Sequence, residues 1–423
     1  MKKILVATAV AAAFGVSGVQ AAEDITVDVA VIGAGGAGLS AAVEAANLGA
    51  KVVVVEKMGM PGGNTIRAAG GLNAAGTALQ QAKGTKDSVE IAYFDTMKGG
   101  HWKNDPELVR TLVSGAAGSV EWLLALGGDL RDVGLMAGAS QPRTHRPTGG
   151  ALVGPEVVKT LYNAAKARQI DMRMNTQATK ILMKDGKVTG VIAKNKKGDT
   201  ITVNAKNVIL ATGGYAERLD LLAEFGYTEE NCIPTTMGCD GSGHDMAIAV
   251  GGASNTSNMG MLGGTTVPDL PAFFEGGYFC SVMNSLANIP WVLWVNERGE
   301  RFVNEDLSLA NHMITANPIR MCKQAFILMD EAMMNDYVAG DAQGLKELED
   351  GQAKGIIFKA SNWKDLASSI GADAEILSET LESYNGCCEA GDDSDFGKAS
   401  EFMRPLAMEG TVYAVEIKSS LGK

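Results

Sequence analysis

Residues 27–57 read VDVAVIGAGGAGLSAAVEAANLGAKVVVVEK, and this stretch decides the fold. The apolar residues 27–32 predict a short strand, which runs directly into a turn that contains four glycines. The following LSAAVEAANLG predicts a helix that Gly49 ends. Residues 51–55 then predict a second strand, which ends at Glu56. A strand, a glycine turn, a helix and a strand in this order predict the start of an α/β domain with a parallel sheet.

The glycine spacing G-x-G-x-x-G has a physical reason at each position. Gly33 permits the tight turn, Gly35 lets the backbone approach a pyrophosphate, and Gly38 lets the helix pack close to the strand. The helix N-terminus would then meet the phosphates with unpaired amides. Glu56, 18 residues beyond Gly38, is where a carboxylate would accept hydrogen bonds from ribose hydroxyls. The stretch therefore predicts dinucleotide binding, and the alternative is a glycine-rich structural turn.

Further glycine and strand signals favour FAD over NAD. A second glycine-rich stretch, residues 61–73, could run beside a large planar ligand. Three alternating segments near residues 180–183, 188–194 and 200–203 are joined by turn sequences and predict an antiparallel meander. A strand at residues 208–210 then enters Ala-Thr-Gly-Gly. We therefore expect an α/β fold with a Rossmann-like FAD-binding domain of the glutathione-reductase type.

The composition excludes several other classes of protein. The chain has 423 residues, enough for two domains, and its 46% hydrophobic and 20% charged residues are ordinary for a folded protein. Its net charge of −12 argues against nucleic acid as a partner. The four histidines show no metal-ligand spacing, and the six cysteines form no C-x-x-C-H haem motif. We therefore expect no metal site and no haem in this chain.

The first 21 residues have the parts of a secretory signal. The start MKK is basic, residues 4–16 are apolar, and the small residue Ala21 precedes the expected cleavage site. The apolar run is shorter than the roughly 20 residues that a membrane-spanning helix needs. We expect export to the bacterial periplasm, with no membrane span after the signal is removed.

A closer resemblance rests on seven strings in order: VAVIGAGGAGLSAA, EKMGMPGGNTIRAAGGLNAAGT, FDTMKGG, DVGLMAGASQPRTHRPTGGALVG, DMRMNT, VILATGG and VNERGERFVNE. They run from about Asp24 to Asn304 and resemble the periplasmic fumarate reductase flavoproteins, within the succinate dehydrogenase and fumarate reductase flavoprotein family. The resemblance implies hydride transfer from flavin N5 to an activated C=C bond of a small unsaturated acid-like substrate. It also implies an inserted α+β capping domain. Because the chain has no second dinucleotide fingerprint, electrons would come from a separate cytochrome or another periplasmic donor.

The resemblance also implies which residues bind FAD. The predicted set comprises Gly33, Gly35, Gly36, Ala37, Gly38, Glu56, Lys57, Gly63, Asn64, Ala69, Gly70, Ala178, Thr212 and Gly213. Respiratory members of the family have a histidine at the position of Asn64 that links FAD covalently, and asparagine cannot form that bond. The resemblance therefore implies non-covalent, exchangeable FAD.

The proton-transfer residues of the family are not matched in this sequence. Aligned without gaps from VNERGERFVNE, the relay threonine, glutamate and arginine fall on Asn284, Ser285 and Asn288. The proton-donor arginine falls on Leu309, and the substrate-holding histidine falls near Gly263. None of these residues can do the assigned job, so specificity for fumarate is not expected.

Two polar residues of the HRPTGG loop, Arg146 and Thr148, remain as candidate catalytic residues. The alternative is a glycine-rich helix start with a solvated arginine. In the capping region, Arg301 and Glu305 are interpreted as a charged edge. The acidic residues 392–395 are interpreted as a solvated turn.

The predicted domains are a signal peptide at 1–21, an FAD-binding domain at 22–258 and a capping domain at 259–423. The family's returning segment, with a histidine motif and a G-A-G-E strand and helix, has no match before Lys423. We therefore expect this polypeptide to bind FAD weakly or not at all. Three functions stay open: a reductase of an unsaturated, non-fumarate substrate, a truncated flavoprotein fragment without catalysis, and a non-catalytic flavin-binding electron carrier.

Overall fold

The computed structural model describes residues 22–136, 138–234, 236–254, 262–268, 281–310 and 314–422. The predicted signal peptide and the predicted domain boundary near residue 258 lie outside these ranges. None of the helices within these ranges is both long enough and apolar enough to cross a membrane.

Strands and helices alternate along most of the described chain. The strands are β1 (Ala22–Ile32), β2 (Val52–Val55), β3 (Leu72–Asn73), β4 (Asp132–Gly134), β5 (Thr144–Arg146), β6 (Asp171–Arg173), β7 (Thr176–Lys184), β8 (Lys187–Asn195), β9 (Thr200–Leu210), β10 (Cys232–Pro234), β11 (Leu262–Thr266), β12 (Leu293–Asn296), β13 (Ala325–Asp330), β14 (Ile357–Ala360) and β15 (Val412–Leu421). The helices are α1 (Gly36–Asn47), α2 (Ala78–Ala82), α3 (Val89–Gly99), α4 (Pro106–Ala125), α5 (Val153–Ala167), α6 (Leu219–Leu222), α7 (Ser242–Ala249), α8 (Val282–Ser285), α9 (Leu307–Ala310), α10 (Ala316–Met321), α11 (Glu331–Val338), α12 (Ala342–Ala353), α13 (Trp363–Ile370) and α14 (Ala374–Ala390). The predicted α/β class is confirmed.

The first sheet has six strands in the order β6-β2-β1-β9-β8-β7. Strands β6, β2, β1 and β9 are parallel, and β8 and β7 continue the sheet as an antiparallel meander. One strand differs from the sequence prediction: β9 is continuous from Thr200 to Leu210, where the sequence predicts two strands. Its first residues pair with both β8 and β1, and the rest continues along β1. The meander and the nucleotide-binding strands therefore belong to one sheet.

The central strands of this sheet are buried on both faces. Val52 and Val54 pack with helices α1 and α5 on one face. Val53 and Val55 pack on the other face, with the meander and with Met246 of α7. A parallel strand that is covered on both sides needs an unbroken apolar run, because neither face meets water. This is why β2 reads as four consecutive valines.

A second sheet is built around β15, in the order β10-β15-β13-β12, with β11 and β14 also paired to β15. Residues 412–417 of β15 lie against β13 and β14, and residues 418–421 lie against β11 and β10. Strand β10 comes from the predicted FAD-binding domain, and β15 comes from the predicted capping domain. The second sheet thus joins segments from both sides of the domain boundary, which stays a prediction.

A small third sheet, in the order β3-β5-β4, leads into the HRPTGG loop. In it Leu72 pairs with His145, and Asn73 pairs with Thr144. This register places the residues just before β3 beside Arg146, at the end of β5.

Candidate functional site

The glycine turn after β1 is enclosed by backbone, which explains why it requires glycine. Gly33 has a φ of +102°, and a Cβ on it would lie 2.3 Å from the carbonyl oxygen of Ala211. A Cβ on Gly38 would lie 1.9 Å from the carbonyl oxygen of Gly33. These neighbours are backbone atoms, which cannot move aside as a flexible side chain can. The geometry agrees with the roles that the spacing gives to Gly33 and Gly38.

A cleft of about 560 Å³ lies at the edge of the first sheet where β1, β2 and β9 end. Ile32, Val55 and Leu210, the last residues of these strands, line it. Open α/β sheets bind their ligands beyond the carboxyl ends of the strands, so this cleft is the candidate site. The predicted FAD-binding residues that line it are Gly33, Gly35, Gly36, Ala37, Glu56, Lys57, Gly63, Asn64, Ala178, Thr212 and Gly213.

The start of α1 supplies hydrogen-bond donors to this cleft. Helix α1 begins at Gly36 without a side-chain cap. The Gly36 amide donates to Thr65 Oγ1 at 3.0 Å. Among the described residues, the amides of Gly35 and Ala37 have no protein acceptor. Open amides at a helix N-terminus favour an anion, so these residues fit a diphosphate.

The Glu56 carboxylate lies at the end of β2 and is 7% exposed. Its Oε2 accepts from the Ala34 amide at 2.7 Å, and its Oε1 accepts from the Met58 amide at 2.7 Å. An ionised carboxylate has about four acceptor positions, so two remain for ribose hydroxyls. Glu56 thus holds the glycine turn and can also take the predicted ligand contact.

A segment that the sequence analysis missed forms another wall of the cleft. Its lining residues are Met237, Gly238, Cys239, Ser242, Gly243, His244, Met246 and Ala247. Lys57 ties this wall to the end of β2, because its Nζ donates to the Gly238 carbonyl at 2.6 Å and pairs with Asp240 at 2.8 Å. Burial alone would raise the pKa of Asp240, but the contact with Lys57 and the Ser242 amide outweigh it and the pKa is lowered.

Asn64 bridges the same two walls. Its Nδ2 donates to Cys239 Sγ at 3.0 Å, and its Oδ1 accepts from the Met237 amide at 3.0 Å. Behind it, Arg67 donates to Asn64 Oδ1 at 3.4 Å, and burial lowers the pKa of Arg67 to about 10. An amide side chain here can donate to a ligand and accept from backbone at once.

The missed wall has a sequence signal of its own. Glycines at 238 and 241 come before α7 and Gly243 is its second residue, so a second glycine-rich helix start follows the A-T-G-G segment. A Cβ on Gly243 would lie 1.9 Å from Thr212 Oγ1, so this glycine lets α7 pack against that segment. The signal was missed because no regular strand comes immediately before the glycines.

Comparison with known proteins agrees with this site. The family model described as FAD binding domain matches residues 28–420. The chain belongs to this FAD-binding family. Fumarate reductase (cytochrome) of Shewanella frigidimarina is 38% identical over 395 residues, which cover 93% of this chain and 66% of that protein. Urocanate reductase of Eggerthella lenta is 30% identical, covering 89% of this chain and 62% of that protein.

Among solved structures, the open conformation of a flavocytochrome c3 fumarate reductase matches with a TM-score of 0.72 at 32% identity. The match covers 94% of this chain and 67% of that chain. The FAD-binding chain therefore spans about two thirds of the length of these relatives.

Three predicted residues of the FAD-binding family lie outside the cleft lining. Gly38 lies beneath it, where it packs against Gly33. Ala69 and Gly70 lie in the loop before β3, where both carbonyl oxygens accept from Arg146. Thr148 donates to Asp129 Oδ1 at 2.9 Å and is exposed. The predicted FAD-binding roles of Gly38, Ala69 and Gly70 and the predicted catalytic role of Thr148 stay predictions.

Two of the positions aligned with the family's proton relay make structural contacts instead. Asn284 Oδ1 accepts from Thr266 Oγ1 at 3.0 Å and from the Val267 amide at 2.8 Å. Ser285 donates to the Ser281 carbonyl within α8. Leu309, in α9, is 55% exposed.

One interpretation of charged residues in the capping region is wrong, and a second holds only in part. Arg301 and Glu305 are not a charged edge, because their side chains are 6% and 0% exposed and form an ion pair at 2.9 Å. Asp392 and Asp395 are exposed, as a solvated turn requires, but Asp393 is buried and pairs with Arg301 at 2.8 Å. Lys398 pairs with Glu305 at 3.2 Å and donates to the Val292 carbonyl. These four side chains form one buried ionic cluster.

Proposed function

We propose that this chain is the flavin-binding part of an FAD-dependent reductase that acts on an activated C=C bond of a small unsaturated acid-like substrate. The observation that carries the proposal is the cleft itself, because open amides of Gly35 and Ala37 and the Glu56 carboxylate line one ligand-sized space. Its relatives carry the names fumarate reductase and urocanate reductase, and both names describe reduction of an unsaturated acid.

The mechanism assigns binding and orientation to this chain. Once bound and reduced by the electron donor, FAD would supply the hydride that adds to the C=C bond. The amides of Gly35 and Ala37 would hold the diphosphate, Glu56 would accept from the ribose, and Ala178 would lie against the adenine. Asn64, which lines the cleft, would contact the flavin end without a covalent bond, so FAD should leave the protein when it is unfolded.

The substrate is proposed to differ from fumarate. Leu309 carries no proton to donate, and Asn284 already uses its Oδ1 for Thr266 and Val267. A substrate with one carboxylate, or with another activating group, would need fewer charged side chains in the capping region to bind it. The electron donor is proposed to be a separate cytochrome or another periplasmic carrier, and the signal-like residues 1–21 support export.

A second candidate function is a flavin-binding electron carrier, or a flavoprotein fragment, without catalysis of its own. The observation that favours it is that the aligned relay positions Asn284 and Ser285 serve the packing of α8 and β11. In that case the cleft would bind FAD and exchange electrons, but no alkene would be consumed.

The test is flavin binding followed by turnover. The mature chain is titrated with FAD, and the complex is then given reduced viologen with a panel of enoates that includes fumarate and urocanate. In contrast to the weak binding expected from the sequence alone, the proposal predicts FAD binding at one site and viologen oxidation that depends on an enoate. Absence of FAD binding would sink the proposal, and FAD binding with no turnover on any enoate would favour the carrier.

A further inference from the structure

The loop 68–71, before β3, has its carbonyl groups held by the protein. The Ala68 carbonyl accepts from the Gly154 amide at 2.9 Å. The Ala69 carbonyl accepts from an Arg146 terminal nitrogen at 2.7 Å, and the Gly70 carbonyl accepts from Arg146 Nε at 2.5 Å. One guanidinium therefore holds two successive peptide groups.

The amide groups of this loop differ from its carbonyl groups in their hydrogen bonding. Among the described residues, the amides of Ala69 and Gly70 have no protein acceptor. The chain has no cis peptide bonds in its described part, and in a trans peptide the N–H points away from the C=O of the same unit. Because the carbonyls of Ala68 and Ala69 point to α5 and Arg146, the next two amides point away from them. Such donors need water or a ligand as partner.

The loop is rigidly supported from behind. A Cβ on Gly71 would lie 2.3 Å from Thr144 Cγ2 and 2.8 Å from the His145 carbonyl oxygen, so the loop presses directly on β5. Strand β5 is fixed in turn, because the buried Arg143 forms a two-bond contact with Asp87. The loop can therefore keep one orientation.

We propose that Arg146 is a positioning residue, whose guanidinium fork fixes the amides of Ala69 and Gly70, just outside the cleft lining, as donors to the flavin ring of an FAD that extends beyond the cleft. The proposal rests on the FAD function proposed above. The flavin ring carries carbonyl oxygens and ring nitrogens that accept hydrogen bonds, and these atoms gain negative charge on reduction. Fixed donors beside them therefore bind reduced FAD more strongly than oxidised FAD and raise the reduction potential. Arginine suits the task because its donors form a rigid, permanently charged fork.

The experiment compares Arg146→Gln and Arg146→Lys with the wild-type chain. The matched control is Arg298→Gln, at a side chain that is 63% exposed and pairs with Glu300. Affinity is measured for FAD and for ADP, which lacks the flavin ring, and the midpoint potential of bound FAD is measured by spectroelectrochemistry. For Arg146→Gln we expect FAD affinity to fall about 10-fold and the potential to fall, with ADP affinity unchanged. The FAD affinity and the potential of Arg146→Lys should lie between those of the wild type and Arg146→Gln, because one ammonium group can replace only part of the guanidinium fork.

Each outcome decides the proposal. If the wild-type chain binds ADP but no FAD, the proposed function fails before Arg146 is tested. If Arg146→Gln keeps both FAD affinity and potential, or if ADP affinity and thermal stability fall along with them, the positioning role is overturned. A lysine variant that matches the wild-type potential would overturn the role of the fork.

Discussion

At the scale of single residues, Glu56 links the architecture to the proposed chemistry. One carboxylate accepts from Ala34 in the glycine turn and from Met58 beyond β2, and it lines the cleft. Its position could be predicted from sequence, because the number of residues between the turn and the end of β2 is fixed by one helix and one strand. The structure adds that the two amide hydrogen bonds hold the carboxylate in place without a bound ribose.

Glu56→Gln should weaken FAD binding about 10-fold or more. The amide nitrogen of glutamine cannot accept, so the Ala34 or the Met58 amide would face another donor. A hydrogen bond to a charged acceptor contributes about 1.5–3 kcal/mol. Flavin fluorescence titration measures the change. Glu349→Gln, at an exposed position, is the control and should bind as the wild type does. Equal affinity of Glu56→Gln and the control would show that the carboxylate does not hold the cofactor.

The burial of the ionic cluster could not be predicted from its residues one at a time. Arg301 and Glu305 are four residues apart, and their helical spacing suggests a solvated pair. Asp393 joins them from a turn that comes after α14, far along the chain. Only the fold brings that carboxylate to the guanidinium, so the burial of all three could not be predicted.

At the scale of elements, the packing of α1 on β1 depends on one glycine, and Gly38→Ala tests it. The added Cβ would meet the Gly33 carbonyl at 1.9 Å, and we expect a loss of about 1–3 kcal/mol in the free energy of unfolding. Gly118→Ala is the matched control, because Gly118 lies within α4 with no atom within 4 Å of the added carbon. Alanine there should raise stability by about 0.5–1 kcal/mol. Urea unfolding measures both. If Gly38→Ala were as stable as Gly118→Ala, the close contact between residue 38 and the Gly33 carbonyl would be contradicted.

Element prediction succeeded where pairing is local and failed where it is not. Strands β1 and β2 and helix α1 follow one another along the chain, so their hydrophobic and glycine patterns are enough to predict them. Strand β9 was split because residues 204–207 read as a polar interruption, Asn-Ala-Lys-Asn. The strand continues through them because β1, far away in sequence, pairs with it along its whole length. The wall of residues 237–247 likewise depends on partners distant in sequence, since Lys57 and Asn64, which hold it, lie in another part of the chain.

At the scale of the whole molecule, the ionic cluster predicts how stability depends on pH. Burial alone would raise the pKa of Asp393, but hydrogen bonds from Arg301 and the Lys398 amide outweigh it, so the pKa lies below its usual value. A carboxylate with a lowered folded pKa stabilises the fold above the pKa of the unfolded chain. That contribution is lost as the pH falls through the folded value.

Asp393→Asn should cost about 3–5 kcal/mol of unfolding free energy at pH 7, because it leaves Arg301 buried with one partner fewer. The difference from the wild type should begin to shrink as the pH falls through the ordinary carboxyl pKa of the unfolded chain, about 3.9, and should be lost only below the lowered folded value, where the wild-type carboxylate takes up its proton. Urea midpoints at several pH values measure this. The neighbouring Asp392→Asn, at an exposed position, should follow the wild type throughout. A constant gap between Asp393→Asn and wild type across that range would refute the assignment.

Strand β15 is synthesised after every strand with which it pairs. Strands β10, β11, β13 and β14 all precede it, yet it lies between them and completes their sheet. A growing or translocating chain must therefore hold these four strands with open edges until residues 412–421 emerge, since no earlier segment fills the central position. Chaperone dependence during synthesis should end only when this stretch has emerged, whereas the β1-α1-β2 unit can pair from the beginning.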